Sequence, residues 1–114
     1  MIVNLQSIEV VQTASFKKEI ATFPLSAKED IFSLVIRFIN GERLNQHDFK
    51  IFKIDKKTKI LEFKVKDSSG NWRAVSTLMK GRYLVFVYAF HKKSQELLQK
   101  DKETIRNRIK RIEL

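Results

Sequence analysis

The chain contains no cysteine, one proline, one tryptophan and three glycines in 114 residues. Without thiols it has no disulfide framework, no thiolate zinc site and no cysteine nucleophile, and a reducing compartment suits it. So little Gly and Pro leaves no room for a long flexible linker, and an apolar fraction of 43% with 11% aromatics is enough to drive folding. No apolar run approaches a membrane span. The start, "MIVNLQSIEVVQTASF", has neither the basic n-region nor the small-residue cleavage site of a signal peptide, so the chain is expected in the cytoplasm with no membrane partner. Glycine-rich phosphate loops and carboxylate clusters are missing, and His47 and His91 stand alone, so neither a metal nor another cofactor is expected. The length suits one domain, residues 1–114, with a single core.

Positive charge is abundant. The formal net charge is +10, and it is unevenly spread: residues 1–48 hold five Lys/Arg against six Asp/Glu (−1), and residues 49–114 hold 18 against seven (+11). An excess confined to one half of a domain predicts a face turned toward a polyanion. Nucleic acid ranks ahead of a lipid surface, because no strongly amphipathic apolar-basic anchor accompanies the charge.

Periodicity predicts an α+β domain. "SIEVVQ" (7–12) reads as a short strand, and Phe16, Ile20 and Phe23 recur at helical spacing up to Pro24. Ser26 is a candidate N-cap for a second helix whose apolar stripe is Ile31, Leu34, Val35, Phe38 and Ile39, ended by Asn40-Gly41. "FKIFKID" is ambiguous. Three strands follow, "KILEFKVKD", "NWRAVSTLM" and "RYLVFVYAFH", with turns at Ser68-Ser69 and Lys80-Gly81. Ile105, Ile109 and Ile112 mark a basic terminal helix with Asp101 as a possible N-cap. The expected order is β-α-α-β-β-β-α: an antiparallel sheet, a helical hairpin packed on one face and a C-terminal basic helix.

Two-residue hairpin loops pair Asp67 with Gly70 and Met79 with Arg82. Lys64 then falls opposite Arg73, and Arg73 opposite Tyr88. This register gathers Leu61, Phe63, Val65, Trp72, Ala74, Val85, Val87 and Ala89 on one face, and Glu62, Lys64, Lys66, Asn71 and Arg73 on the other. Phe90 and Lys92 continue the polar face by parity, which sends His91 to the opposite side. Two cations directly opposite each other repel, and an anion between them removes the conflict. Phosphate fits, since guanidinium offers a fork matched to its oxygens and Lys a mobile point charge. Tyr88 and Phe90 add hydroxyl and stacking surfaces for a base. A metal-free cleavage is open to such a site if an RNA 2′-hydroxyl attacks its own phosphate, with a Lys of lowered pKa or His91 moving the proton.

The element order, the ending "YAFHKKSQ" and the basic tail resemble small toxins of the RelE superfamily, in particular the phage-derived HigB-like branch of toxin-antitoxin systems. The counterparts are "ILEFK" with Lys64, "GNWRAV" with Arg73, and "FHKKSQ" with Phe90, Lys92, Lys93, Ser94 and Gln95. The similarity runs from about Phe16 to the C-terminus. It implies a RelE-like fold and a ribosome-dependent mRNA endonuclease, neutralised by a cognate antitoxin that often carries a helix-turn-helix. It gives catalytic roles to Arg73, Lys64, Lys92 and Lys93, and RNA binding to Tyr88, Phe90, His91, Gln95 and Lys66. Two departures stand out: Tyr88 occupies a position where many relatives have His, and "ELLQKD" replaces a Thr-Pro helix start. A same-fold toxin that poisons DNA gyrase by binding, and a non-catalytic basic RNA- or DNA-binding phage protein, are the alternatives.

Overall fold

The computed structural model describes residues 7–93 and 97–113. Its elements are β1 (Glu9–Gln12), α1 (Ala14–Ile20), α2 (Leu25–Ile39), β2 (Phe49–Lys53), β3 (Lys59–Asp67), β4 (Gly70–Met79), β5 (Tyr83–Lys92) and α3 (Gln99–Lys110). The α+β class and the helical hairpin agree with the sequence, but the order has one strand more than expected, β-α-α-β-β-β-β-α. The extra strand is β2, inside "FKIFKID". Its edge position leaves Lys50 and Ile51 exposed while Phe49 and Phe52 pack on opposite faces, so neither face of the segment is purely polar and no clean period of two shows. The five strands lie in the order β1-β5-β4-β3-β2, and β1 runs parallel to β5, which makes the sheet mixed rather than antiparallel.

Local chemistry sets the helix ends. The Thr13 hydroxyl accepts from Phe16 N–H and donates to Phe86 O, capping α1 and tying it to β5. Helix α2 starts at Leu25 behind Pro24, whose fixed φ of −55° and extended ψ of 145° place its carbonyl to receive Lys28 N–H. Ser26 is therefore inside the first turn and is not the N-cap. Leu98, not Asp101, caps α3: the backbone N–H groups of Asp101 and Lys102 both donate to the Leu98 carbonyl.

Helices α1 and α2 cover one face of the sheet, where Phe16, Phe63 and Phe86 are fully buried, and the Phe86 ring packs at a tilt 5.0 Å from Phe16 and 5.6 Å from Phe63. Each such ring contributes roughly 1.5–3 kcal/mol through burial. Helix α3 covers part of the other face, with Ile105 buried over Ile60, Val75, Val85 and Val87 and with Ile109 and Ile112 at its margin. No helix among the described residues is long and apolar enough to cross a membrane.

The β3–β4 register is as expected, from Asp67 with Gly70 to Lys64 with Arg73. The β4–β5 register is not. Arg82 N–H does donate to Met79 O across Lys80-Gly81, both at positive φ, yet the ladder begins by pairing Met79 with Tyr83. A bulge beside Val75/Ser76 then pairs Val75 with Tyr88 and Ser76 with Phe86, leaving Val87 as the extra residue. Between these irregularities the parity of β5 is inverted, so Leu84 and Phe86 pack toward α1 and α2 while Val85 and Val87 pack under α3. Beyond the bulge the parity returns. Ala89 faces α1 and α2, Phe90 and Lys92 lie on the α3 face, and the partner of Arg73 is Phe90 rather than Tyr88.

Candidate nucleic-acid interface

Where α3 ends its cover, the α3 face of the sheet is left open as a cationic groove. Cross-strand pairing brings Lys64, Arg73 and Phe90 into one row and Lys66, Asn71 and Lys92 into the next. These rows, less Phe90, line a groove of about 590 Å³ closed at one side by His47 and Asp48 from the loop before β2. Strand β2 is what delivers that loop: Lys64 N–H donates to Asp48 O at 2.8 Å, and the Lys64 ammonium donates to Gln46 O at 2.8 Å.

Electrostatics in the groove are unbalanced. Partial burial, and then the Arg73 guanidinium, hold the Lys64 ammonium below its ordinary pKa of 10.5. Burial likewise lowers Arg73, with Glu62 opposing. Glu62, only 3% exposed on the same face of β3, is the one carboxylate among the described residues whose field supports both cations. The Arg73 Nε is buried and has no hydrogen-bond partner among the described residues. A buried guanidinium N–H left unpaired costs free energy comparable to a lost charged hydrogen bond. An anion held by Arg73 and Lys64 would receive donors from two strands at once.

The other sequence candidates divide. Lys66 is exposed at the groove's mouth, and Lys92 lines both this groove and a neighbouring cavity of about 460 Å³ against α3. Lys93 is exposed just past the strand end and belongs to that neighbouring cavity, apart from Arg73. Phe90 stacks on Tyr88 with ring centroids 4.9 Å apart and planes at 20°. Tyr88 offers no idle hydroxyl: it donates to the Asp101 carboxylate at 2.7 Å, beneath an Arg108 guanidinium 5.0 Å from its ring. Burial, and then the Asp101 hydrogen bond, push its pKa well above the ordinary 10.0. His91 is on the opposite face, stacked on Trp72 at 4.4 Å and 18°. Ser94 and Gln95 lie outside the described residues.

Sequence reasoning missed two groups. Gln46, His47 and Asp48 become visible only once "FKIFK" is paired with β3, since the residues before it must then lie beside Lys64. The second is the assembly that docks α3. Arg108 donates to Glu19 Oε1 at 2.7 Å and to Val87 O at 2.8 Å, Glu19 accepts Ala89 N–H, and Asp101 is 8% exposed under Tyr88. Nothing in the linear spacing of Glu19, Tyr88, Asp101 and Arg108 points to that meeting. No cluster of three or more His, Asp or Glu side chains arranged to hold a metal ion occurs among the described residues.

The fold is that of a small basic α+β protein whose sheet opens at one end as a groove lined by Lys64, Lys66, Arg73 and Lys92. The family model Phage derived protein Gp49-like (DUF891) matches residues 18–110, and the chain belongs to that family. The phage-derived character suggested by the resemblance is thereby established at family level. No curated protein matches the chain.

Proposed function

We propose that this chain is the toxin of a toxin-antitoxin pair, acting as a metal-free, ribosome-dependent mRNA endonuclease. The observation that carries the reading is the Lys64–Arg73 pair: two cations in direct register that line an open groove. A scissile phosphate would sit between them. Arg73 would bind its non-bridging oxygens and offset the charge that grows as the 2′-oxygen attacks phosphorus and the 5′-oxygen leaves. Lys64 in its neutral form would take the 2′-hydroxyl proton, giving a 2′,3′-cyclic phosphate; a second donor, Lys92 or Lys93, would return a proton to the departing 5′-oxygen. Phe90 would supply a stacking surface, and Lys66 a contact to the backbone at the groove's mouth. The ribosome would present the mRNA, and a cognate antitoxin, by the resemblance one with a helix-turn-helix, would neutralise the chain.

Induced expression tests this. Growth arrest with transcripts cut within translated regions, abolished by Arg73→Ala in a chain that keeps its wild-type melting curve, is the expected result. Intact transcripts with undiminished translation would overturn it. Unbroken mRNA together with DNA damage and co-purifying gyrase would replace it with gyrase poisoning; steeply salt-dependent RNA binding without cleavage would replace it with a non-catalytic binder.

A further inference from the structure

Beyond the cationic groove, between the exit of β5 and the start of α3, lies a cavity of about 460 Å³, within the range of small-ligand pockets, roughly 300–1,000 Å³. Phe90 and the 45%-exposed Leu98 give it apolar walls. Tyr88 already carries Phe90 on its ring and the Arg108 guanidinium 5.0 Å from its centroid, so Phe90 is where a further flat ring would join the column. The cavity also holds a carboxylate that the cleavage chemistry does not use. Asp101 is 8% exposed, and of the roughly four lone-pair sites on its two oxygens the Tyr88 hydroxyl takes one, at 2.7 Å. One turn on along α3, the Thr104 hydroxyl gives its proton to Lys100 O at 2.9 Å, which leaves its oxygen to accept. Lys92, Lys93 and Lys100 line the same cavity and repel a cationic ligand, so hydrogen-bond donors must arrive on a neutral edge.

The geometry points to a guanine base as the occupant, carried by a nucleotide next to the phosphate at Lys64 and Arg73. The assignment rests on the reading of the cationic groove as an RNA site, and it adds what that reading lacks, a base preference. The Watson–Crick edge of guanine sets N1–H and an N2–H side by side, a pair of parallel donors that a carboxylate accepts as a fork, and places O6 next to them for a lysine. No other RNA base does this. Adenine and cytosine each offer one amino group beside a ring-nitrogen acceptor, and uracil offers one N–H between two carbonyls, so each turns a lone pair toward the Asp101 carboxylate and leaves it unpaired. The position suits a base flanking the cut. Phe90 is the direct cross-strand partner of Arg73, and Lys92 lines both cavities, so the base site and the phosphate site adjoin. With Phe90 stacking on the ring and Asp101 reading its edge, the chain would cut messages beside guanine.

The test uses the full chain and short oligouridines with one varied central base, 2′-O-methylated throughout so that none can be cleaved. The guanine oligomer should bind at least about 10-fold tighter than those with adenine, cytosine or uracil, and should shift the NMR signals of Phe90, Leu98 and Thr104. Inosine, which lacks only the 2-amino donor, should bind about 10-fold more weakly than guanine; this arm needs no variant and so does not depend on one folding. Asp101→Asn puts a donor in place of one acceptor oxygen and should bring the guanine oligomer down to the level of the other three. Equal binding of all four bases, inosine as tight as guanine, or an undiminished preference in Asp101→Asn would each overturn the proposal. Equal binding with shifts at Lys64 and Arg73 would remove the base pocket and keep the RNA site, whereas binding of none at low salt would remove both. A guanine preference without cleavage of unmodified messages on the ribosome would uphold the pocket and replace the nuclease with a non-catalytic binder.

Discussion

Lys64 and Arg73 are direct cross-strand partners, two cations in a position where antiparallel strands ordinarily favour opposite charges. Like charges so placed cost roughly 0.2–1 kcal/mol, a cost retained at a site whose ligand would remove it. Lys64→Met should therefore raise the melting temperature by about 1–8 °C, since 1 kcal/mol corresponds to roughly 4–8 °C in a domain of this size. Inorganic phosphate should stabilise the wild type more than the variant. Thermal melts with and without phosphate check both; a variant that melts lower than wild type refutes the conflict.

The same residue sets an expected pH profile. Burial and Arg73 lower the Lys64 pKa, so the neutral amine that can accept a 2′-hydroxyl proton is populated at lower pH than for an ordinary lysine. Cleavage should rise with pH from neutrality and level off below pH 10.5, the ordinary lysine value. Lys64→Arg keeps the charge at every accessible pH. It should flatten the profile and cut the rate by about 100- to 10,000-fold, leaving RNA affinity nearly unchanged. Single-turnover rates on a ribosome-bound message measure this, and an unaltered profile in the variant removes Lys64 from proton transfer.

Tyr88 is predicted to act on stability and not on RNA. Its hydroxyl satisfies an Asp101 carboxylate that is 8% exposed, so Tyr88→Phe leaves a buried charge short of a donor, at a cost of about 1–3 kcal/mol. Asp101→Asn keeps an acceptor for the hydroxyl and should cost less. RNA affinity should stay within about twofold in Tyr88→Phe, whereas Arg73→Ala should do the reverse, losing affinity with little change in melting. Chemical denaturation paired with RNA titration separates the two; a large affinity loss in Tyr88→Phe at unchanged stability would return Tyr88 to the interface.

What could be read from the sequence was what local patterns encode. Alternation in "KILEFKVKD" and the tight turn before Gly70 gave β3 with β4, and with them the Lys64–Arg73 pair. Parity gave the faces of Phe90, Lys92 and His91 correctly even though the register was off by two residues, because two irregularities of one residue each cancel in parity. Between them they do not cancel, and Val85 and Val87 were assigned to the wrong face. A bulge has no distinctive residue signature here, and its position depends on packing between sheet and helices. The β1–β5 pairing and the Glu19–Arg108 contact join residues from opposite ends of the chain, separations at which spacing carries no information. The Tyr88–Asp101 hydrogen bond is hidden for the same reason: Asp101 is on α3, whose placement no local pattern fixes.

His91 is expected to be a structural residue of β5 that packs against the β3–β4 turn rather than part of the chemistry. Gly70 has φ +141°, and a Cβ there would lie 2.2 Å from His91 Nε2, so the turn is glycine because the imidazole stacked on Trp72 fills the space a side chain would need. Gly70→Ala meets two penalties, the overlap and a backbone conformation that L residues rarely adopt, together about 1–3 kcal/mol or more. Adding His91→Ala removes only the overlap. The double variant should recover part of the lost stability and not all, and His91→Ala alone should change melting by less than either. Because the ring is on the face opposite Arg73, His91→Ala should also leave cleavage within about twofold of wild type, whereas loss of a proton-transferring group costs about 100-fold or more. A deep loss of cleavage at unchanged melting temperature would place the imidazole in the proton transfer and take that role from Lys64.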